Sequence, residues 1–187
     1  MGAGYLTNPL EFIIATLFGL YVLAIMLRFL FAWVGADFYN SISQFLVRIT
    51  NPPLLPLRRV IPPIGRIDTA TVVLMLLVQM ASVALILLIR GLPLNPIVLL
   101  LVSLQELVGL AFNVFIFSIL IQVVLSWVNP HGHHPVNSLL HALNEPILRP
   151  ARRLLPPVSG IDLSPLLALL ALQVLKMLIL PLFSLLS

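Results

Sequence analysis

A motif of prolines and arginines occurs twice in this chain, at residues 51–68 and again at residues 145–162. The two copies align without a gap at an offset of 94 residues. The coinciding positions are Pro52/Pro146, Pro56/Pro150, Arg58/Arg152, Arg59/Arg153, Pro62/Pro156, Pro63/Pro157 and Asp68/Asp162. Because a self-match at a fixed period decides the architecture, the chain is predicted to be a tandem duplication, with repeats at residues 1–94 and 95–187.

The composition places most of the chain in lipid. Apolar residues make up 60% of the sequence and charged residues only 9%, against about 25% charged in ordinary globular proteins. So few charges could not cover a water-exposed surface, and about 20 apolar residues are enough to cross a bilayer core. The sequence therefore predicts an all-α membrane protein with four transmembrane helices, two in each repeat. The predicted spans are residues 12–34, 69–89, 106–128 and 165–185.

Capping residues and run lengths define the ends of these spans. Asn8 and Pro9 suit the start of the first helix, and Asp68 suits the N-cap of the second. As one helix, the apolar run from Ile97 to Val128 would be about 48 Å long, which exceeds the thickness of the bilayer core. Residues 97–105 are therefore expected to lie along or above the membrane surface.

Each repeat also contains a short segment with helical periodicity, at residues 39–50 in the first copy. The apolar stripe is Ile42, Phe45, Leu46 and Ile49 in the first copy and Val136, Leu139, Leu140 and Leu143 in the second. This helix is too short to span, so it either lies in the membrane surface or packs on the bundle as a loop helix. The prolines that follow should end it, because proline lacks an N–H and disfavours helix in the preceding residue. The motif is expected to form a loop at headgroup level, with a shallow re-entrant loop as the alternative.

Arginines are distributed unequally between the two sides of the predicted bundle. Four spans place both motif loops on one side, and the parallel duplication implies a pseudo-twofold axis along the membrane normal. The arginines on that side are Arg48, Arg58, Arg59, Arg66, Arg149, Arg152 and Arg153, whereas the other side has only Arg90. Because Arg and Lys are enriched in cytoplasmic loops, we predict cytoplasmic motif loops and external termini. The net charge of +4 is assigned to topology and lipid contact rather than to nucleic-acid binding.

Several polar side chains lie within the predicted spans. They are Arg28, Gln79, Asn113, Gln122, Gln173 and Lys176. Polar groups are costly in hydrocarbon, so they should face the bundle or a partner chain. One interpretation is interhelical hydrogen bonding, and the other is a permeation path or ligand site. Lys176 is the hardest to explain structurally, because it lies about 10 residues from either helix end and cannot easily reach the membrane surface.

The sequence contains no recognisable catalytic or metal-binding pattern. It has no cysteine, which excludes disulfides and thiolate chemistry, and it has neither a phosphate-binding loop nor a nucleophile elbow. The histidines are His131, His133, His134 and His141, and the first repeat has no histidine at the aligned positions. They are interpreted as incidental rather than as metal or haem ligands. We predict a protein that is not an enzyme and has no cofactor.

The motif resembles that of the YggT (YlmG) family. Trp33 and Trp127 precede the two copies, and each copy then reads P-x-R-R-x-x-P-P-x-x-x-I-D before an apolar span. The first copy departs in having Asn51 where the second has Glu145, and the residues before the final Ile-Asp differ as well. The resemblance covers about residues 10–185. It implies a bacterial inner-membrane protein from a family linked to cell division, to osmotic tolerance and, in plastids, to cytochrome haem assembly.

Three functional hypotheses follow. The first is a scaffold or assembly factor of the cell envelope, in which Arg58, Arg59, Arg152 and Arg153 bind anionic lipid or an acidic partner. The second is an ion or small-solute transport protein that acts as an oligomer. The third is a haem or cofactor assembly protein. The expected partners are the bilayer, anionic lipids, further copies of the chain and other membrane or division proteins.

Overall fold

The computed structural model describes residues 3–65, 67–128, 135–155 and 162–184, and for residues 3–7 and 184 it describes the backbone alone. Its elements are six helices. They are α1 (Ala3–Val34), α2 (Ser41–Val60), α3 (Thr69–Ile89), α4 (Pro96–Val128), α5 (Pro135–Leu154) and α6 (Ser164–Ser184). Within the described residues the only bridge is between Ile64 and Ile67. Helix α5 begins and ends 94 residues after α2, so the duplication seen in the sequence is also a duplication of structure.

Four of these helices are long and apolar enough to cross a membrane, namely α1, α3, α4 and α6. The predicted fold class, four transmembrane helices from a tandem duplication, is therefore confirmed. Helices α2 and α5 lie together at one end of the bundle, where Asn40 Nδ2 donates to the Pro135 carbonyl at 2.8 Å. We call this end the motif face. The opposite end, which has the start of α1 and the connection from α3 to α4, is the terminal face.

The short amphipathic helix is longer than predicted, because it continues through the prolines of the motif. Helix α2 contains Pro52, Pro53 and Pro56, and α5 contains Pro146 and Pro150. The prediction that these prolines end the helix was wrong, although the helix still ends within the motif, at Val60 and Leu154. A proline within a helix leaves the carbonyl four residues earlier without its usual donor, and a neighbouring helix can supply one. Tyr21 of α1 does so here, because its hydroxyl donates to the Ile49 carbonyl at 3.4 Å.

The remaining motif prolines lie in the connection between α2 and α3. Pro62 and Pro63 follow the end of α2, and the Pro62 carbonyl accepts a hydrogen bond from the Thr69 hydroxyl at 2.5 Å. Pro156 and Pro157 lie outside the described residues. The prolines predicted to be structural thus divide between a helix and a loop, rather than forming one loop.

Two further predictions of helix ends were wrong. Helix α1 begins at Ala3, so Asn8 and Pro9 lie inside it. Residues 97–105 continue α4 as part of one 33-residue helix, so they do not lie along the membrane surface, whereas the alternative that they lie above it stays a prediction. At about 50 Å this helix is longer than a bilayer core. The predicted N-cap is confirmed, because the Asp68 side chain accepts from the Thr71 N–H.

The two repeats pack together asymmetrically. Within each repeat the spanning helices are paired, α1 with α3 and α4 with α6, and the repeats meet mainly where α3 packs against α4. A closed twofold would also pack α6 against α1, but among the described residues α6 contacts only α4 and α5. Of the contacts between the two repeats, only those of α1 with α4 and of α2 with α5 agree with the expected pseudo-twofold axis. Helix α3 is therefore covered by the other repeat, whereas α6 is not.

Candidate functional site

Each copy of the motif contains an ion pair between its first arginine and its final aspartate. Arg58, in the last turn of α2, donates from Nη2 to Oδ2 of Asp68, the N-cap of α3. Arg152 Nε donates to Asp162 Oδ2 at 3.2 Å, and its Nη1 donates to Glu145 Oε2 at 2.9 Å. In both repeats the motif therefore ties the end of the amphipathic helix to the start of the following span.

The aspartates of these ion pairs are stabilised in their ionised form. Burial alone would raise the pKa of Asp68, but hydrogen bonds from Arg58 and Thr71 outweigh it and hold the pKa below its ordinary value. The pKa of Asp162 is lowered in the same way, because hydrogen bonds from the start of α6 and from Arg152 outweigh burial. Both aspartates are thus ionised at neutral pH, as an ion pair with arginine requires.

The ion pairs divide the four arginines that were predicted to bind lipid. Arg58 and Arg152 are held by carboxylates. Arg59 and Arg153 are exposed on α2 and α5, and within the described residues neither forms an ion pair. Two more arginines of the motif face share this condition, Arg48 on α2 and Arg149 on α5.

Aligned polar contacts fasten the amphipathic helices to the spans. Arg28 Nη1 in α1 donates to the Thr50 hydroxyl of α2 at 2.5 Å. In the second repeat the same two positions are Gln122 and Asn144, where Asn144 Nδ2 donates to Gln122 Oε1 at 2.7 Å. Ser118 also donates to Asn144 Oδ1 at 2.6 Å. Interhelical hydrogen bonding, one of the two interpretations of the intramembrane polar residues, is therefore present for Arg28 and Gln122. The sequence did not indicate their partners, Thr50 and Asn144.

A polar chamber lies between the spans in the half of the bundle nearer the terminal face. Its volume is about 610 Å³, and all four spanning helices line it. Gln79 Nε2 in α3 donates to Glu106 Oε2 in α4, and Lys176 Nζ in α6 donates to Asn113 Oδ1 in α4 at 2.7 Å. Ser82 and Gln105 add further polar groups to its wall.

The acid and the amine of the chamber occupy different depths. Glu106 and Asn113 are seven residues apart on α4, which corresponds to two turns, or about 10 Å along the helix axis. Lys176 is bonded at the deeper position, and among the described residues it forms no ion pair with Glu106. The chamber therefore offers a carboxyl group near its outer end and an amine farther in.

Only some of the polar residues that were predicted to lie within the spans line the chamber. Gln79, Asn113 and Lys176 line it, but Gln173 lies outside it, exposed on α6. Glu106 was not singled out from the sequence, although it is the only charged residue of α4. Glu106 aligns with Phe12 of the first repeat, so a comparison of polar residues that occur in both repeats does not reveal it.

Comparison with known proteins supports the predicted resemblance. The family profile described as CCB3/YggT matches residues 7–89 and again residues 101–183, which together are most of the chain. The chain belongs to the CCB3/YggT family. The two matched segments contain the two proline and arginine motifs, so the family unit corresponds to one repeat of this protein.

Three similar proteins each have a name that calls them uncharacterized. An uncharacterized protein of Pseudomonas aeruginosa is 44% identical over 90% of this chain and 86% of its own length. The uncharacterized protein YggT of Escherichia coli K12 is 39% identical, over 91% of this chain and 88% of its own. An uncharacterized protein of Vibrio alginolyticus is 37% identical, with 89% and 90% covered. No solved structure gives a significant match.

The histidines of this CCB3/YggT protein form no metal site in the part of the chain that the structure describes. His141 Nε2 lies 3.9 Å from Glu145 Oε2 one turn along α5. No group of three histidine, aspartate or glutamate side chains within the described residues could hold a metal ion. His131, His133 and His134 lie outside those residues, so the interpretation that they are incidental stays a prediction.

Proposed function

We propose that this CCB3/YggT protein is a non-enzymatic membrane scaffold that binds anionic lipid headgroups on its motif face. One observation carries the proposal. Four exposed arginines, none of them ion-paired among the described residues, lie on two helices that contact each other at one end of the bundle. They are Arg48, Arg59, Arg149 and Arg153.

The apolar residues beside these arginines support a position in the membrane surface. Phe45 is 59% exposed, and Val60 and Leu154, next to Arg59 and Arg153, are 81% and 75% exposed. A helix that exposes both apolar side chains and arginines suits the boundary between headgroups and acyl chains. Each arginine near an anionic leaflet contributes about 1 kcal/mol, so four of them supply about 4 kcal/mol.

The ion pairs give the scaffold a defined shape. Because each motif is joined to the following span through Asp68 or Asp162, the exposed arginines are held at fixed positions on α2 and α5 instead of on mobile loops. A charged face of fixed geometry suits the assembly of other envelope components on one patch of lipid. This agrees with the family links to cell division and osmotic tolerance that the resemblance implies.

Two matched double variants test the lipid proposal. Arg59→Gln with Arg153→Gln removes two exposed charges, so we expect about tenfold or greater loss of preference for phosphatidylglycerol over phosphatidylcholine. Arg58→Gln with Arg152→Gln removes the same charge but breaks partly exposed ion pairs, so its main effect should be a modestly lower thermal stability, by about 1 kcal/mol or less for each pair. Retained lipid is measured by mass spectrometry on purified protein, and stability by thermal unfolding in the same detergent.

Orientation of both variants is checked first, since arginines also direct membrane insertion. If the Arg59 and Arg153 variant retains acidic lipid as the parent does, the exposed arginines are not the binding site. Equal losses in the two variants would show that total charge matters and that the geometry of the motif does not.

The polar chamber favours a second candidate function, the handling of a cation or small polar solute. Charged and amide side chains in hydrocarbon are costly and mark ligand sites or permeation paths. Glu106 and Lys176 lie at different depths of one open chamber, and each is oriented by an amide, Gln79 or Asn113. This arrangement would bring a solute from the terminal face toward the middle of the bundle.

A flux measurement tests this second function. Lys176→Met should fold, because removing a charge from the membrane interior saves about 3 kcal/mol of insertion cost. If Lys176 belongs to a conduction path, the variant should lose uptake of K⁺ or of a small polar solute into reconstituted vesicles. Leu175→Met, the adjacent residue on an exposed part of α6, should keep it. Parent vesicles that show no flux above protein-free vesicles would end the transport hypothesis.

A further inference from the structure

Gln173 is an exposed polar side chain on α6, with no partner in the part of the chain that the structure describes. It lies near the middle of the helix, nine residues after Ser164 and eleven before Ser184. The side chain is exposed, and it makes no hydrogen bond within the described residues. An amide in hydrocarbon has no water to bind, so its donors and acceptor require another polar group.

The first repeat shows how the same position is satisfied when it is covered. Gln79, 94 residues earlier, is only 9% exposed and donates to Glu106 of α4, which belongs to the other repeat. The contrast continues one turn later, where Val83 of α3 is 9% exposed and Met177 of α6 is 65% exposed. Helix α6 thus exposes the face that serves as an interface in α3.

The exposed face of α6 has the spacing of a helix–helix seam. Leu166 and Leu170 are each 58% exposed, Gln173 follows three residues later, and Met177 follows after four more. Apolar residues that alternate at spacings of three and four pack as knobs into holes, and a single polar residue among them fixes register and oligomeric state. The seam therefore has the pattern of a helix–helix contact, and its one amide requires a polar partner that lipid chains do not provide.

Two symmetric ways for a second copy of this chain to cover α6 follow from the repeats, and only one of them satisfies the amide. If α6 packed on α1 of the next copy as α3 packs on α4, Gln173 would meet Phe12, the residue aligned with Glu106. Phenylalanine cannot accept its hydrogen bond. In a twofold pair of α6 helices the two amides face each other, and each has both a donor and an acceptor.

We propose that the protein forms a twofold dimer through α6, in which Gln173 of one copy is hydrogen-bonded to Gln173 of the other. Closed dimers with one self-complementary patch are the commonest symmetric assembly. With the axis along the membrane normal, both α6 helices cross in the same direction. The motif faces of the two copies then lie on the same side of the membrane and form one larger charged surface. The proposal does not depend on lipid binding by that surface.

Disulfide cross-linking in native membranes tests the dimer directly, because the chain has no cysteine of its own. Single variants Leu170→Cys and Gln173→Cys should form covalent dimers upon mild oxidation. Leu175→Cys is the matched control, since it is also exposed, at 47%, but points about 200° around the helix from Gln173. No cross-link at positions 170 and 173, or an equal yield at 175, would overturn the proposal.

Two further measurements distinguish the twofold pair from other arrangements. When Phe12→Cys and Gln173→Cys chains with different tags are mixed, Gln173→Cys should cross-link only to itself, and a heterodimer with Phe12→Cys would show the α6-to-α1 arrangement instead. Gln173→Leu should fold as the parent does, because the side chain is exposed, but it should dimerise about tenfold more weakly when energy transfer is measured upon dilution in lipid. Dimerisation of this variant with parental affinity would show that the amide pair does not hold the dimer.

Discussion

Cysteines introduced singly at Ser41 and Ser138 are expected to be protected from a membrane-impermeant thiol reagent in intact cells, whereas cysteines at Ala3 and Ser187 are expected to be labelled. The reason is the unequal distribution of arginine in the sequence, with seven in the two segments between paired spans and only Arg90 in the connection on the other side. The positive-inside rule assigns the richer face to the cytoplasm. At each site we expect either complete labelling of the cysteine or complete protection from the reagent.

Ion pairs on both faces do not alter this expectation, because the positive-inside rule counts basic residues rather than net charge. On the terminal face, Arg90 Nη2 is paired with Glu11 Oε2 at 2.8 Å. The hydrogen bond from Asn40 to Pro135 holds α2 and α5 at the same end, so Ser41 and Ser138 must share a side. Permeabilised cells, in which all four cysteines should react, are the control. Labelling of Ser41→Cys and Ser138→Cys in intact cells, with protection of the other two, would reverse the proposed orientation.

Replacement of Asn144 by leucine should destabilise the folded protein by about 2 kcal/mol. Asn144 is fully buried, and its side chain bonds to both Ser118 and Gln122. Leucine is of similar size, so the main effect is the loss of partners for polar groups that stay buried or half-buried, which costs about 1–3 kcal/mol. The free energy of unfolding is measured by denaturant titration in detergent micelles.

The control for this prediction removes the partners as well. In the triple variant Ser118→Ala, Gln122→Leu and Asn144→Leu, no polar group of the network remains, so most of the lost stability should return. A triple variant less stable than Asn144→Leu alone would mean that the cost comes from packing. It would then contradict the interpretation of Asn144 as the centre of a hydrogen-bonded network.

The two adjacent arginines of each motif have different roles, although the sequence of the motif does not distinguish them. The first arginine of each pair joins α2 or α5 to the next span through Asp68 or Asp162, whereas the second arginine is exposed. Adjacent residues on a helix point about 100° apart, so an Arg-Arg pair at a helix end cannot direct both side chains to one carboxylate. The double arginine therefore provides one structural and one exposed charge in each repeat.

The sequence by itself determined the duplication, the four spans and the cap at Asp68. These follow from local rules, namely the length of an apolar run, the period of a repeat and the side chain that precedes a helix. It did not determine how far α2 extends. Whether a helix continues through prolines depends on a donor from elsewhere, and here Tyr21 of α1 provides it for Ile49.

Only the tertiary structure decided which polar side chains meet. Gln79 and Gln173 are the same residue at the same place in two similar repeats, yet one is bonded to Glu106 and the other is exposed. The difference arises because α3 is covered by α4 of the other repeat, whereas among the described residues α6 contacts only α4 and α5 of its own repeat. Contacts between repeats depend on the relative orientation of two rigid units, and the internal alignment of the chain contains no information on that orientation.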